Sequence, residues 1–424
     1  MTMTGGALAL LLAGSPDKDT SRAPTDDDQG MAERPRRAGA CPPNSNSCTV
    51  PTAMIRHALR ALASESGPGK GLNQVRLLRP LVAQARDILR ERFESDGSAE
   101  AYLRDRARLA DSIVIGLLHI ASISCGIRDG SMVAPLAAIA AGGYGRRELA
   151  PGSDLDLLFL LPESSSSRAE TVAPATQACV GAVVACLWDL GFVLDHAARS
   201  VRECLELAKD DPTVLAGLVD RRHLWGCQGL FATLDAELAA LFAGPDAGCW
   251  RDAVGSALSP THRHAPRDVY VLEDEPDVKR GPGGLRDLQC ALWANACASG
   301  RSKPLKPSRL VQAHRFLWQV RCHLHLLAGR AEDRLTRSLQ PGIARRLGLA
   351  DSRGPAARPL LDLFRYHACN IVAAIESAPR TPQGCFQTIA EIRATTQKMT
   401  RQRQPALRLQ SPSRTRNNVL ADKA

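Results

Sequence analysis

The apolar positions of this chain follow two different rhythms. Between residues 73 and 93, Val75, Leu78, Leu81, Val82, Ala85, Ile88 and Leu89 recur at the three-and-four spacing of one helix face. Residues 99–124 repeat the pattern through Leu103, Leu109, Ile113, Leu117, Leu118 and Ile120. The two predict a helical lead-in over residues 66–126. The rhythm then shortens. Residues 133–140 form an apolar run that stops at Gly142 and Gly143; its alanines favour strands only weakly, so a buried strand and a buried helical segment both fit. Residues 155–161 read clearly as a strand, closed by Pro162 and a serine-rich loop. A helix through Leu187 and Trp188 follows, then a strand at 192–194. Strand, turn, strand, helix, strand is the order of a small mixed α/β domain, placed at 127–235. Residues 201–260 read as mostly helical, and a helical domain is expected over 236–376.

Both ends lack such patterning. Residues 1–65 are rich in Asp, Pro, Ser, Gly and Arg and are expected to be a disordered extension, with Met31 and Met54 as alternative starts. Residues 377–424 read as a disordered basic tail. The longest N-terminal apolar run, residues 7–13, is too short to cross a bilayer and has no positive segment before it, so neither a membrane span nor a signal peptide is expected.

At 424 residues the chain can hold two or three domains, each with its own core. A net charge of +10 favours phosphorylated or polyanionic partners. No arginine stripe interleaved with aromatics is present, which argues against nucleic acid as the partner. The 13 cysteines include no Cys-x-x-Cys pair, which argues against structural zinc and for small core residues in a reducing cytoplasm.

The candidate chemistry lies where the first strand ends. Gly142-Gly143-Tyr144-Gly145-Arg146-Arg147-Glu148 leads to Ser153-Asp154-Leu155-Asp156. Alternate side chains of a strand share a face, so Asp154 and Asp156 point the same way. Two carboxylates placed so repel each other and favour a cation between them. Oxygen ligands suit Mg²⁺ or Mn²⁺, which bridge triphosphate oxygens. Gly142, Gly143 and Gly145 lack Cβ atoms and allow a tight turn whose amides can approach a phosphate. Ser153 can add a hydroxyl, and Arg146 or Arg147 can pair with phosphate oxygens. The spacing matches neither a Walker A loop nor a dinucleotide-binding turn. It points to metal-dependent nucleotidyl transfer.

On these residues the chain resembles the nucleotidyltransferase domain of the DNA polymerase β superfamily. More narrowly it is similar to bacterial PII uridylyltransferase, the uridylyl-removing enzyme of nitrogen sensing. Further segments carry the likeness: Leu187-Trp188-Asp189-Leu190-Gly191 with His196 and Arg199-Ser200, Leu224-Trp225-Gly226, residues 277–289 around Gly281-Pro282-Gly283-Gly284, and residues 324–335 around Gly329-Arg330-Ala331-Glu332-Asp333. The resemblance spans about residues 70–375. It implies an α+β fold, with a small mixed sheet flanked by N-terminal helices and a C-terminal helical domain. It implies transfer of UMP from UTP to a tyrosine of the PII protein with Mg²⁺, Asp154 and Asp156 as metal ligands, and Gly142 to Gly145 as the phosphate-facing turn. The superfamily's third carboxylate has a candidate in Asp195, although PII uridylyltransferases more often have glycine at that position. The family continues into an HD-type phosphohydrolase and two ACT domains. No His-Asp dipeptide occurs here and no ACT-like pattern follows residue 377, so a truncated form without uridylyl removal is expected. An inactive paralogue that binds PII or nucleotide, and a transferase with another acceptor, are the rival readings.

Other residues invite chemistry less strongly. His262 and His264 read as a solvated loop. Of His323 and His325 at least one reads as packing. Lys279, Arg280 and Arg286 fit equally a nucleotide or acidic partner and a turn between domains. Arg330, Asp333 and Arg334 read as an ion-pair network bracing the helical domain.

Overall fold

A computed structural model describes residues 50–65, 76–127, 136–163, 167–244, 248, 274–299, 308–349 and 358–376. His262, His264 and the 377–424 tail lie outside the described residues. The elements run α1 (Val50–Glu65), α2 (Arg79–Asp96), α3 (Ala99–Ser124), β1 (Ala137–Ala140), α4 (Gly142–Gly145), β2 (Leu155–Leu161), α5 (Ser167–Asp189), β3 (Leu194–Ser200), α6 (Val201–Asp210), α7 (Pro212–Val219), β4 (Arg222–Gly226), α8 (Gln228–Ala243), α9 (Leu285–Ser299), α10 (Ser308–Ala328), α11 (Gln340–Arg346) and α12 (Arg358–Glu376). The α+β architecture expected from the sequence is the one found: a small mixed sheet with helices around it.

The sheet has four strands in the order β3-β2-β1-β4. β1 pairs antiparallel with both β2 and β4, while β2 and β3 run parallel. Parallel neighbours need a crossover, and α5 supplies it. The two central strands are buried on both faces. Ala138, Ala140, Leu155, Leu157 and Phe159 pack with α3 and α5, whereas Ala137, Ile139, Leu158 and Leu160 pack with residues of α6, α7 and α8. That explains why β2 reads as an unbroken apolar run rather than an alternation.

Helix α3 is the spine. Ser98 caps it by accepting from the Ala101 N–H at 3.3 Å, and Leu103, Leu109, Ile113, Leu117, Leu118 and Ile120 are all buried. By length and composition it is the one described helix able to cross a membrane. It packs instead against α1, α2 and α5. The apolar core it belongs to is continuous from Ile55 in α1 to Ile371 in α12, so the flanking segments share one core rather than each having its own.

Three expectations need correction. Residues 50–65 were expected within the disordered extension, yet they form α1, whose Ile55 and Leu59 are buried. It packs against α3, a partner that its own sequence does not reveal. The strand expected at 192–194 lies at Leu194–Ser200. β3 is an edge strand with mostly half-exposed residues, so no apolar run marks it. Residues 222–226, expected to be helical, form β4, the other edge.

Candidate active site

The start of β2 meets the one-turn helix α4 on the side of the sheet covered by α6 to α8. Asp156 is the second residue of β2 and Asp154 immediately precedes the strand. Strand alternation aims both with Leu158 and Leu160. Asp195 is the register partner of Asp156 across the parallel β2–β3 pair. Paired residues of neighbouring strands project from the same face, so Asp195 stands beside Asp156. All three carboxylates line one cavity of about 570 Å³, together with Gly142, Gly143, Arg146, Ser153, Lys279, Arg280 and Arg286.

The electrostatics follow from this crowding. Burial, and then the charges of Asp154 and Asp195, push the Asp156 carboxyl up to about 7, against the pull of Arg146 and Lys279. A carboxylate held that far up is one that a bound cation relieves. Among the described residues no three His, Cys, Asp or Glu side chains converge closely enough to cage a metal alone. Mg²⁺ seldom uses an all-protein cage; it keeps waters and substrate phosphate oxygens beside one or two carboxylates. The donor set therefore fits a divalent ion that arrives with a nucleotide.

The glycine turn is shaped by what it touches. Gly142 has φ 51°, and a Cβ there would lie 2.7 Å from Asp156 Oδ2. A Cβ on Gly145 would sit 1.7 Å from the Asp220 carbonyl oxygen. Only glycine lets the turn pass between the Asp156 carboxylate and the α7–β4 connection. Gly143 is roomier, with 3.5 Å to the nearest atom, the Glu148 carbonyl oxygen. The Gly145 N–H donates to the Ala141 carbonyl at 2.8 Å and the Arg146 N–H to that of Gly142 at 3.1 Å. The opening amides of such a turn have no acceptor inside it.

Residues not anticipated from the sequence pin this turn. Arg222 of β4 donates to the carbonyl oxygens of Tyr144 and Gly145, each at 3.2 Å, and makes a bidentate pair with Asp111 of α3, both bonds 2.9 Å. Arg146 lies between Glu148, at 2.7 Å, and Asp220. Burial alone would raise the Glu148 carboxyl, but Arg146 and His314 beside it hold it down at about 2. His314 Nε2 is 2.8 Å from Glu148 Oε1. Arg146, named above as a phosphate ligand, is thus already balanced by two carboxylates and braces the turn. Arg222 lies 111 residues from Asp111, and no local pattern marks such a pair.

A second network holds the turn before Asp154. The Ser153 N–H donates to the Ala150 carbonyl at 3.0 Å, and the Gly152 N–H to His325 Nδ1 at 2.9 Å. With Nδ1 accepting, the imidazole proton sits on Nε2, which faces Asp333 Oδ1 at 3.2 Å. Arg321 donates to the same oxygen at 2.7 Å. Burial would raise the Asp333 carboxyl, but His325 and Arg321 keep it well below the usual range. The expected Arg330–Asp333–Arg334 network is not what forms: Arg330 pairs with Glu332, Arg334 with Glu275, and Asp333 with Arg321, His325 and Lys279. Of the two histidines, His323 packs on Phe93 with ring centroids 4.6 Å apart, while His325 is the connector.

The two distant glycine-containing segments meet here too. Asp277 and Arg334 form a β-bridge, the Val278 N–H donates to the Asp333 carbonyl, and the Leu335 N–H to that of Pro276, each at 2.8 Å. Residues 258–374 match the family model described as GlnD PII-uridylyltransferase. The chain is related to that family. It is 36% identical over 314 residues to the bifunctional uridylyltransferase/uridylyl-removing enzyme of Azospirillum brasilense, covering 70% of this chain and 32% of that protein. The enzymes of the same description from Cereibacter sphaeroides and Phenylobacterium zucineum are 37% and 35% identical, over 66% and 73% of this chain and 30% and 33% of theirs. The chain thus spans about a third of the length of the curated relatives it matches. The matched family region contains the Lys279–Arg286 loop and the Arg321–His325–Asp333 network, while Asp154, Asp156 and Asp195 lie before it.

Proposed function

We propose that this chain is a nucleotidyltransferase that moves UMP from UTP to a tyrosine hydroxyl of the PII protein. One observation carries the reading: Asp154, Asp156 and the register-paired Asp195 line the same cavity as the Gly142–Gly145 turn. In the reaction a bond forms between the acceptor oxygen and the α-phosphorus, and the α–β phosphoanhydride bond breaks. Pyrophosphate leaves with the electron pair and the hydroxyl proton passes to solvent. Asp154 and Asp156, with Asp195 beside them, hold Mg²⁺ or Mn²⁺. When bound, that ion supplies charge neutralisation at the phosphates and polarises the attacking hydroxyl. The chain's own part is orientation. Gly142 and Gly143 bring backbone amides close to the phosphates, Ser153 adds a hydroxyl, and the Arg222–Asp111 and His325–Asp333 pairs keep both turns in place. Transfer is the reaction that the carboxylates and the glycine turn of this cavity support. A cytoplasmic setting, where PII and UTP are found together, follows from the same reading.

The test is to incubate the purified chain with α-labelled UTP, Mg²⁺ and PII, beside Asp154→Ala and Asp156→Ala. Label on PII that disappears in both variants is the expected result. UTP binding without any label on PII sinks the catalytic reading and favours an inactive binder. Label that survives Asp154→Ala sinks the metal assignment, and label that goes only to a different acceptor redirects the substrate.

A further inference from the structure

The cavity has a second kind of lining that the aspartates do not explain. Lys279, Arg280 and Arg286 come from one loop and line the same space as Asp154, Asp156 and Asp195. Cations are usually placed among partners, and several arginines near this cavity have one. Arg146, Arg221, Arg222 and Arg321 each have a carboxylate within 3 Å. Arg280 and Arg286 have none within 4.0 Å among the described residues, and Lys279 reaches Asp333 only at 3.9 Å. Arg286 is half-buried, so its charge is not simply given to water. The loop thus brings three cations to the cavity wall, Arg280 exposed and Arg286 half-buried, and neither arginine has a carboxylate partner of its own among the described residues; such side chains suit a multiply charged anion.

The loop's hydrogen bonds narrow what it can offer. Its backbone is largely committed: the Lys279 and Arg280 N–H groups donate to Asp277 Oδ1 at 2.8 and 2.6 Å. The Gly283 N–H donates to Asp287 Oδ2 at 2.7 Å, and the Arg286 N–H to the Lys279 carbonyl at 3.0 Å. Asp287 is 1% exposed. A loop fixed this firmly from beneath presents side chains, not amides. Lys279 is also close enough to Asp154 to feel its charge. The cationic loop therefore lies within reach of the carboxylates where the metal is expected.

We propose that Lys279, Arg280 and Arg286 form a polyphosphate subsite that takes the β- and γ-phosphates, the part that departs as pyrophosphate. This deepens the nucleotidyltransferase reading and rests on it for the identity of the nucleotide. The division of labour is a chemical one. The carboxylates and metal attend the α-phosphate, where the bond is made, and the cationic loop holds the leaving group. Preference for a triphosphate over a monophosphate then comes from residues more than 120 positions downstream of Asp154 and Asp156.

Binding measurements on the full chain with Mg²⁺ test this, using UTP, UMP and inorganic tripolyphosphate as probes. The variants are Lys279→Met, which keeps the apolar stem, and Arg280→Ala, Arg286→Ala and Arg286→Lys. Each removal of charge is expected to weaken UTP and tripolyphosphate about tenfold while leaving UMP within about twofold, as loss of a charge-assisted contact predicts. Arg286→Lys should retain most of the affinity. Unchanged melting temperatures establish that the variants are folded, and the Arg286→Lys comparison stands if Arg286→Ala is not. UTP and tripolyphosphate binding at wild-type strength in every variant overturns the subsite, as does an equal loss for UMP. Tripolyphosphate bound through these residues with no nucleotide preference at all leaves the subsite standing and removes the uridylyl reading. A wild-type chain that binds none of the three probes overturns both.

Discussion

Two glycine-rich turns among the described residues do opposite things. The first, Gly142–Gly145, borders the carboxylates, and its opening amides have no acceptor within the turn. The second, Gly281 to Gly284, is tied from below by Asp277 and Asp287 and offers only side chains. Both look alike in the sequence, and both need glycine. The difference is in what fills the space a Cβ would take. At Gly142 that is the Asp156 carboxylate, part of the proposed site; at Gly283 it is Ala368 of α12, part of the core packing. Glycine content marks a close approach in both cases, and the neighbour decides whether that approach is functional or structural.

Substitutions at the two turns should separate these roles. The largest effect is expected at Gly142→Ala. Its methyl group meets Asp156 Oδ2 at 2.7 Å and its φ of 51° disfavours a side chain. The backbone penalty is about 1–2 kcal/mol. Displacing the carboxylate proposed to hold the metal should cost the transfer rate far more, about 10²–10³-fold, the scale seen when one transition-state contact is lost. Steady-state transfer assays with a parallel thermal melt read both quantities. Gly143→Ala is the internal control: with 3.5 Å of room it should change stability by less than about 1 kcal/mol. A Gly142→Ala protein with wild-type turnover would mean that the turn does not govern Asp156.

At the second turn the balance reverses. Gly283→Ala puts a methyl group 2.4 Å from Ala368 Cα and Cβ at a φ of 70°. Overpacking of this kind costs about 1–3 kcal/mol. A lowered urea midpoint with near-normal turnover per folded molecule is expected. If turnover falls while the midpoint holds, the two turns are not as different as the packing says.

His325 tests the joint between the two halves of the site. Its side chain is fully buried and accepts from Gly152, two residues before Asp154. His325→Leu removes the acceptor and leaves both the Gly152 amide and Asp333 short of a partner. An outer partner of a metal site typically changes affinity or activity about 10–100-fold. The metal concentration needed for half-maximal transfer should rise, and His325→Gln, which can accept and donate, should recover part of it. A loss confined to thermal stability, with unchanged metal dependence, would show that His325 only packs.

How much of this was readable beforehand depended on whether the signal was local. Helix α3 and strand β2 were placed at their observed bounds because their apolar runs are long and self-contained. The aspartates and glycines were legible because their spacing alone implies a shared face and a tight turn. β3 and β4 were misplaced because edge strands carry polar residues and borrow their definition from the strand beside them. Arg222 and Asp111 carry no local signal, and His325 stands out only as a buried histidine, for a related reason: each acts through a partner far along the chain. Arg146 was noticed for its charge, but whether an arginine is available to a substrate depends on Glu148 and Asp220, and only the folded arrangement brings Asp220 to it.

An effect seen only away from neutral pH concerns the other histidine, which the comparison leaves in the core. His323 is buried against Phe93, and burial, with Arg346 nearby, pushes its imidazole down to about 4. At pH 5 the unfolded chain protonates this histidine and the folded one does not. Its contribution is therefore complete above the unfolded value of 6.5 and is lost as the pH falls from there toward 4. Asp156 works in the opposite direction, since a carboxyl raised to about 7 takes up a proton more readily in the folded state. The wild-type pH profile therefore mixes the two signs, and the difference between wild type and His323→Phe isolates one of them. That variant keeps a ring beside Phe93 and cannot titrate. Measured by urea unfolding, its stability relative to wild type should improve by on the order of 1–3 kcal/mol between pH 7.5 and pH 4.5. A gap that is the same at both values means that His323 does not remain neutral in the folded protein at low pH.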